Sequence, residues 1–139
     1  MKNILLPIDV YNTPEKTTQN ALTFLHKLEG HFRIFLLKTY LVPASLSNQV
    51  IETHDELQNR SLKELQKELL AAQSISPSGK LSFESFLQMG RPINVIIRVV
   101  KEQNIDCVIL GPLDGLKREE NLNLLSRLHC PVIVLPLPV

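Results

Sequence analysis

Apolar residues along this chain fall into short solid blocks, separated by longer stretches in which they recur every three or four positions. Ile4-Leu-Leu-Pro-Ile8, Ile34-Phe-Leu-Leu37, Val108-Ile-Leu110 and Val132-Ile-Val-Leu135 are too short for ordinary helices and carry no alternating polar side. Such blocks predict strands covered on both faces. The second extends over Phe32 to Tyr40, the third is stopped by Gly111-Pro112, and the fourth follows Pro131. Leu81-Ser-Phe-Glu-Ser-Phe-Leu87 alternates instead, which predicts a further strand with one face more open, as at a sheet edge.

The intervening stretches have helical spacing. Thr13-Pro14 is a good helix start, with Thr13 as N-cap and Pro14 in the first turn, where a missing N–H costs nothing. Ala21, Leu22, Leu25 and Leu28 form its buried stripe, and Gly30 is placed for a left-handed turn after it. Val50, His54, Leu57, Ser61, Leu62, Leu65 and Leu69 predict a long amphipathic helix with a mixed-charge outer face. Ile93, Ile96, Ile97 and Val100 predict a helix that opens at Gly90-Arg-Pro92 and ends near Asn104. A shorter one over Glu119 to Leu128 buries Leu122, Leu125 and Leu128. Strands alternate with helices throughout, so the expected class is α/β: a doubly wound parallel sheet with right-handed crossovers and helices on both faces.

The length of 139 residues suits a single domain over 1–139. A hydrophobic fraction of 44%, a charged fraction of 21% and a net charge of +1 give no general attraction to nucleic acid or to an anionic membrane. The opening Met-Lys-Asn-Ile-Leu-Leu-Pro is too short an apolar run for a signal peptide, and no segment has the length to span a bilayer. The expected location is the cytoplasm. Cys107 and Cys130 are expected as reduced thiols rather than as a disulfide.

The stretch Ile105 to Gly115 is the natural place for a ligand, because open α/β sheets bind just beyond the carboxyl ends of their strands. Gly111 and Gly115, separated by Pro-Leu-Asp, do not by themselves make a complete phosphate motif. Asp9, where the first strand ends, either organises a turn before Asn12-Thr13-Pro14 or holds a ribose or base. A dinucleotide fold would need Gly-x-Gly-x-x-Gly after the first strand, where Asp9 to Pro14 contains no glycine. A phosphorylatable receiver would need an aspartate after the third strand, where Met89-Gly90 stands. No serine sits in a nucleophile elbow, and His26, His31, His54 and His129 are too scattered for a metal site.

Taken together, Lys2-Asn-Ile-Leu-Leu-Pro-Ile-Asp9, Gly90-Arg-Pro92, Asp106-Cys-Val-Ile-Leu-Gly111 and His129-Cys-Pro-Val-Ile-Val134 resemble the landmarks of the universal stress protein family, in order and over almost the whole chain. The resemblance implies a five-stranded parallel sheet ordered 3-2-1-4-5. Family members that bind ATP share Gly, two residues, Gly, nine residues, Gly, then Ser or Thr after strand four. Here Gly111 matches the first glycine, Asp114 replaces the second, and Gly115 lies one place late. Counted back from Cys130-Pro131, the final pair falls on Arg118-Glu119, which leaves the loop about six residues short. Asp114 and Glu119 bring carboxylates where a polyphosphate would lie, at a cost of about a kilocalorie per mole each, partly offset by Lys117 and Arg118.

The expectation is therefore a non-catalytic protein without metal or cofactor that does not bind ATP. It acts in a stress response through a homodimer or a protein partner. The resemblance implies dimerisation through the last strand, at Val132, Ile133 and Val134, with pairing ended by Leu135 because Pro136 and Pro138 remove donors from one edge. The alternative retains ATP, another nucleotide or a small anion at Asp9, Gly90, Gly111 and Gly115, with help from Lys117 or Arg118, and leaves room for slow hydrolysis.

Overall fold

A computed structural model describes residues 2–8, 14–41, 54–75, 79–111 and 118–135, without the side chains of 14–17, 75 and 118–122. The elements follow one another as β1 (Lys2–Pro7), α1 (Pro14–His26), β2 (Phe32–Tyr40), α2 (His54–Ile75), β3 (Leu81–Met89), α3 (Pro92–Glu102), β4 (Cys107–Leu110), α4 (Arg118–Arg127) and β5 (Val132–Val134). The strands form one five-stranded, all-parallel sheet in the order β3-β2-β1-β4-β5. The fold is the doubly wound α/β arrangement that the alternation of strands and helices predicts.

The two-residue period of the strands divides the core in two. Ile4, Leu6 and Ile8 of the first strand and its exit join Ile34, Leu36 and Ile109 against Ala21, Leu22 and Leu25 of α1 and Leu65 and Ala72 of α2. Leu5, Phe35, Leu37, Val108 and Leu110 point the other way, onto Val95, Ile96 and Val99 of α3 and Leu124 of α4. Helices α1 and α2 thus cover one face, and α3 and α4 the other.

Pro7 sits in the central strand without breaking it. The Lys2 and Ile8 N–H groups donate to β2, at His31 O (3.2 Å) and Leu37 O (2.9 Å), while Asn3 O accepts from Asp106 N–H at 2.8 Å on the β4 side. Donors alternate along a strand, so Pro7 lacks its N–H on the β4 side, and there the β1–β4 register ends at Leu5↔Val108.

Several side chains depart from the predicted stripes. Leu28 is 38% exposed. The chain tightens after His26 into three-residue turns, Lys27 N–H to Phe24 O and Leu28 N–H to Leu25 O, which carry Leu28 off the helical stripe. Lys80 caps that end, its Nζ donating to His26 O at 3.2 Å and to Leu28 O. In α2 the inward line runs through Ser61, Leu65 and Ala72, so Leu62, a hundred-degree step further round, is exposed. In α4 Leu124 is fully buried and the expected Leu125 is exposed, whereas Leu128, just past the helix, packs against the core as expected. Val95 and Val99 widen the buried face of α3 beyond the four predicted positions.

Candidate functional site

Strands β1 and β4 are neighbours, yet β1 runs on into α1 on one face while α4, which follows β4, packs on the other. This divergence is a topological switch point, and the crevice it leaves lies at the carboxyl ends of the two strands. The described walls of the crevice are Ile8, buried and bonded to β2, and Gly111, also buried, immediately after Leu110. Leu135 N–H donates to Leu110 O at 2.8 Å and fixes the end of β4 against the chain leaving β5. Asp9, Gly115, Asp114 and Lys117 lie outside the described residues, as do the side chains of Arg118 and Glu119.

Gly90 lies elsewhere on the same rim. It follows β3, which is separated from β4 by β2 and β1, so three strand spacings, about 14 Å across the sheet, lie between it and Gly111, and the registers set it about three residues further along its strand. It also has a local reason to be glycine. Its φ is +140°, and a Cβ there would meet Val95 Cγ2 at 2.9 Å. Its N–H donates to Tyr40 O at 2.9 Å, and after it the chain passes through extended Arg91 into Pro92 at the start of α3. The sheet therefore sets Gly111 at the switch point and Gly90 at the far end of the rim.

A cleft of about 200 Å³ opens beside the switch point, between the ends of β1 and β2 and the middle of α2. Ile8 lies among its walls with Lys38, Glu64, Lys67 and Glu68. Lys38 follows the buried run of β2, and its largely buried side chain reaches Glu64 with Nζ 3.0 Å from the carboxylate. Among the described residues the cleft thus carries two ammonium and two carboxylate groups. Sequence reasoning missed it. Its one legible signal is a single lysine directly after four consecutive apolar residues, since the glutamates arrive only when α2 packs across β2.

His54 was placed on the buried side of its helix by spacing; the structure leaves it exposed at the first residue of α2. Its ring stacks on Tyr40 with centroids 5.8 Å apart, and its Nε2 lies 3.3 Å from the tyrosine hydroxyl. Both cysteines are free and half-buried. Burial is the main cause that pushes the Cys107 thiol up, followed by the neighbouring Cys130, and burial likewise raises Cys130, with Asp106 adding to it. Among the described residues no three His, Cys, Asp or Glu side chains group as a metal site, and no helix is long and apolar enough to cross a membrane.

Comparison with known proteins gives a consistent picture. The model of the universal stress protein family matches residues 1–136. No sequence match to a curated protein is found. Among solved structures, universal stress protein UspA from Lactobacillus plantarum superposes with a TM-score of 0.74 at 17% identity, covering 96% of this chain and 97% of that one. A universal stress protein family protein from Arabidopsis thaliana with AMP bound gives 0.69 at 15% identity, over 100% and 94% of the two chains. The universal stress protein from Archaeoglobus fulgidus in complex with dAMP gives 0.59 at 14% identity, over 96% and 97%.

Proposed function

This chain belongs to the universal stress protein family, and we propose that within it the protein is a non-catalytic binding module that does not take ATP and acts through a homodimer or a protein partner in a stress response. The observation that carries this reading is the distance along the chain between β4 and α4. Only residues 111–117 separate Leu110 from the first residue of α4, Arg118. The glycine motif of ATP-binding members spans about twice that length before its hydroxyl residue. A triphosphate needs several backbone N–H groups converging on it, with small residues that let the oxygens approach. Gly111-Pro-Leu-Asp-Gly-Leu-Lys117 has few such positions and sets Asp114 among them.

The dimer reading is supported by β5. It pairs with β4 on one side only, no described strand lies on its other side, and Val134 is 49% exposed. Covering this edge removes open backbone donors and acceptors as well as apolar surface.

A second reading is favoured by the similar structures that hold AMP and dAMP, and by a universal stress protein in complex with cAMP. A ligand with one phosphate needs far less of the missing loop. On this reading Asp9 and Gly111 hold an adenine mononucleotide, while the tail of ATP is refused. Isothermal titration of the purified chain with Mg²⁺-ATP and with AMP separates the two. Silence to millimolar with both supports the binding module, binding of AMP alone supports the mononucleotide, and micromolar ATP binding overturns the proposal.

A further inference from the structure

The sheet has a second edge with no described strand beyond it, and it differs in kind from β5. Strand β3 is nine residues long against three for β5, and among the described residues it pairs only with β2. Long open edges are ordinarily blunted by lysine, proline or a bulge. Leu81-Ser-Phe-Glu-Ser-Phe-Leu-Gln-Met89 has neither lysine nor proline, and its continuous register with β2 has no bulge. Its one charge, Glu84, is turned to Arg33 of β2 at 3.9 Å.

The direction of the backbone groups can be followed along this strand. Phe32 N–H donates to Lys80 O at 3.0 Å, and Gly90 N–H donates to Tyr40 O at 2.9 Å, so the groups of residues 80 and 90 both point at β2. Backbone groups alternate from side to side in an extended chain. Ser82, Glu84, Phe86 and Gln88 therefore share that direction, whereas Leu81, Phe83, Ser85, Leu87 and Met89 present N–H and C=O to the open side.

We infer that the outer edge of β3 is a self-pairing surface, and that its occupant is β3 of a second copy of this chain, running antiparallel about a two-fold axis through Ser85. In this register Ser85 faces Ser85, Phe83 faces Leu87, and Leu81 faces Met89 of the second copy. Every one of these residues has its backbone groups turned outward, so the pairs fall where an antiparallel ladder forms its hydrogen bonds. Phe83 and Leu87 lie on the α1–α2 face, packed against that core while still partly exposed, and each gains an apolar neighbour across the axis. Glu84 faces Phe86, so no like charges meet. Moving the axis to Glu84 would set two carboxylates opposite each other, and moving it to Phe86 shortens the overlap. An interface of this isologous type closes as a dimer. It is separate from β5 and from any nucleotide.

The test uses the full chain carrying Val134→Lys, which blocks the β5 edge at an exposed position. Sedimentation velocity over a rising concentration series is expected to reveal a monomer–dimer equilibrium in this variant. Ser85→Pro removes one outward donor from each copy without touching the bonds to β2, and is expected to weaken that equilibrium about thirtyfold. Ser85→Lys and Ser85→Glu separately weaken it, and mixing the two restores it. Circular dichroism checks that each variant is folded. Amide hydrogen exchange on the unmodified chain gives an independent reading: Phe83, Ser85 and Leu87 slow with concentration, while Ser82, Glu84 and Phe86 are slow throughout. A Val134→Lys chain that stays monomeric to hundreds of micromolar, or outward amides whose exchange ignores concentration, would overturn the inference. Identical association of the Val134→Lys and unmodified chains would instead remove the β5 dimer.

Discussion

Replacing Gly90 by alanine tests whether the turn from β3 into α3 is held by the protein's own packing. Two costs add. A φ of +140° is a conformation that side-chain-bearing residues rarely adopt, at about 1–2 kcal/mol. The new methyl also lies 2.9 Å from Val95 Cγ2, and Val95 is buried and β-branched, with little freedom to turn away. Overpacking of this kind costs about 1–3 kcal/mol. Reduced freedom of the unfolded chain returns about 0.4–1 kcal/mol. The net destabilisation is about 3 kcal/mol.

Gly30 supplies the control, because its φ is +108° and nothing lies within 4 Å of an added Cβ. Gly30→Ala thus carries only the backbone cost less the same return, about 1 kcal/mol. Urea unfolding should separate the variants by about 2 kcal/mol, or roughly 1 M in midpoint for a chain of this size. In a Val95→Ala background the excess should vanish, leaving Gly90→Ala about as costly as Gly30→Ala. If Gly90→Ala is no worse than Gly30→Ala, or the excess survives the loss of the valine methyls, the steric argument is wrong and Gly90 regains its place as a ligand-contact candidate.

Three further outcomes can be measured on the same preparation. Burial raises both thiols above their ordinary value of 9.0, so the folded chain keeps those protons to higher pH than the unfolded chain. Their contribution to stability is complete below about pH 9 and is lost as pH rises toward the folded values; the urea midpoint should fall more steeply there than in a Cys107→Ala, Cys130→Ala chain. Glu64→Gln should cost less than about 1 kcal/mol, since Glu64 is more than half exposed, and Lys38→Met should be close to neutral because its stem is already buried; urea unfolding with and without added salt checks both. At the amino edge of the sheet, Asp106 accepts from Asn3 N–H at 2.8 Å, so Asp106→Ala should cost about 1 kcal/mol and Asp106→Asn less, as read by the thermal midpoint.

What could be read directly was whatever depends on neighbours in sequence. The strand expected at Phe32 to Tyr40 has those bounds in the structure, built around the buried run Ile34–Leu37 that follows a turn glycine. Gly30 takes the positive φ expected of it. Side-chain direction was less legible where two candidates sit side by side. Ser61 rather than Leu62 turns inward, and Leu124 rather than Leu125, since the rotation of a helix is set by the surface it meets. The long helix begins with an exposed His54, whose partner Tyr40 comes from another element. The same limit applies to the site. Gly90 and Gly111 were recognisable as strand ends, but their separation along the rim follows from strand order. The cleft at Lys38 exists only because α2 carries Glu64, Lys67 and Glu68 across the end of β2.

The short link between β4 and α4 bears on how the proposed loss of ATP binding would affect the fold. Helix α4 brings fully buried Leu124 to the α3 side of the sheet, with Leu128 packed partly beside it, and leads into a strand of three residues. That is a modest anchor. A long glycine-rich connection would weaken it further, because closing a loop costs entropy that grows by about 0.6 kcal/mol with each doubling of length. Glycines would add their own loss of freedom, at roughly 0.5–1 kcal/mol relative to alanine. Where a bound nucleotide orders the loop, its binding energy offsets both terms. If, as proposed, no such ligand is bound, a link of about half the length costs less entropy to close before α4 and β5. On the proposed reading, the seven residues from Gly111 to Lys117 are thus the length expected of a chain whose last helix and strand stay docked without a polyphosphate.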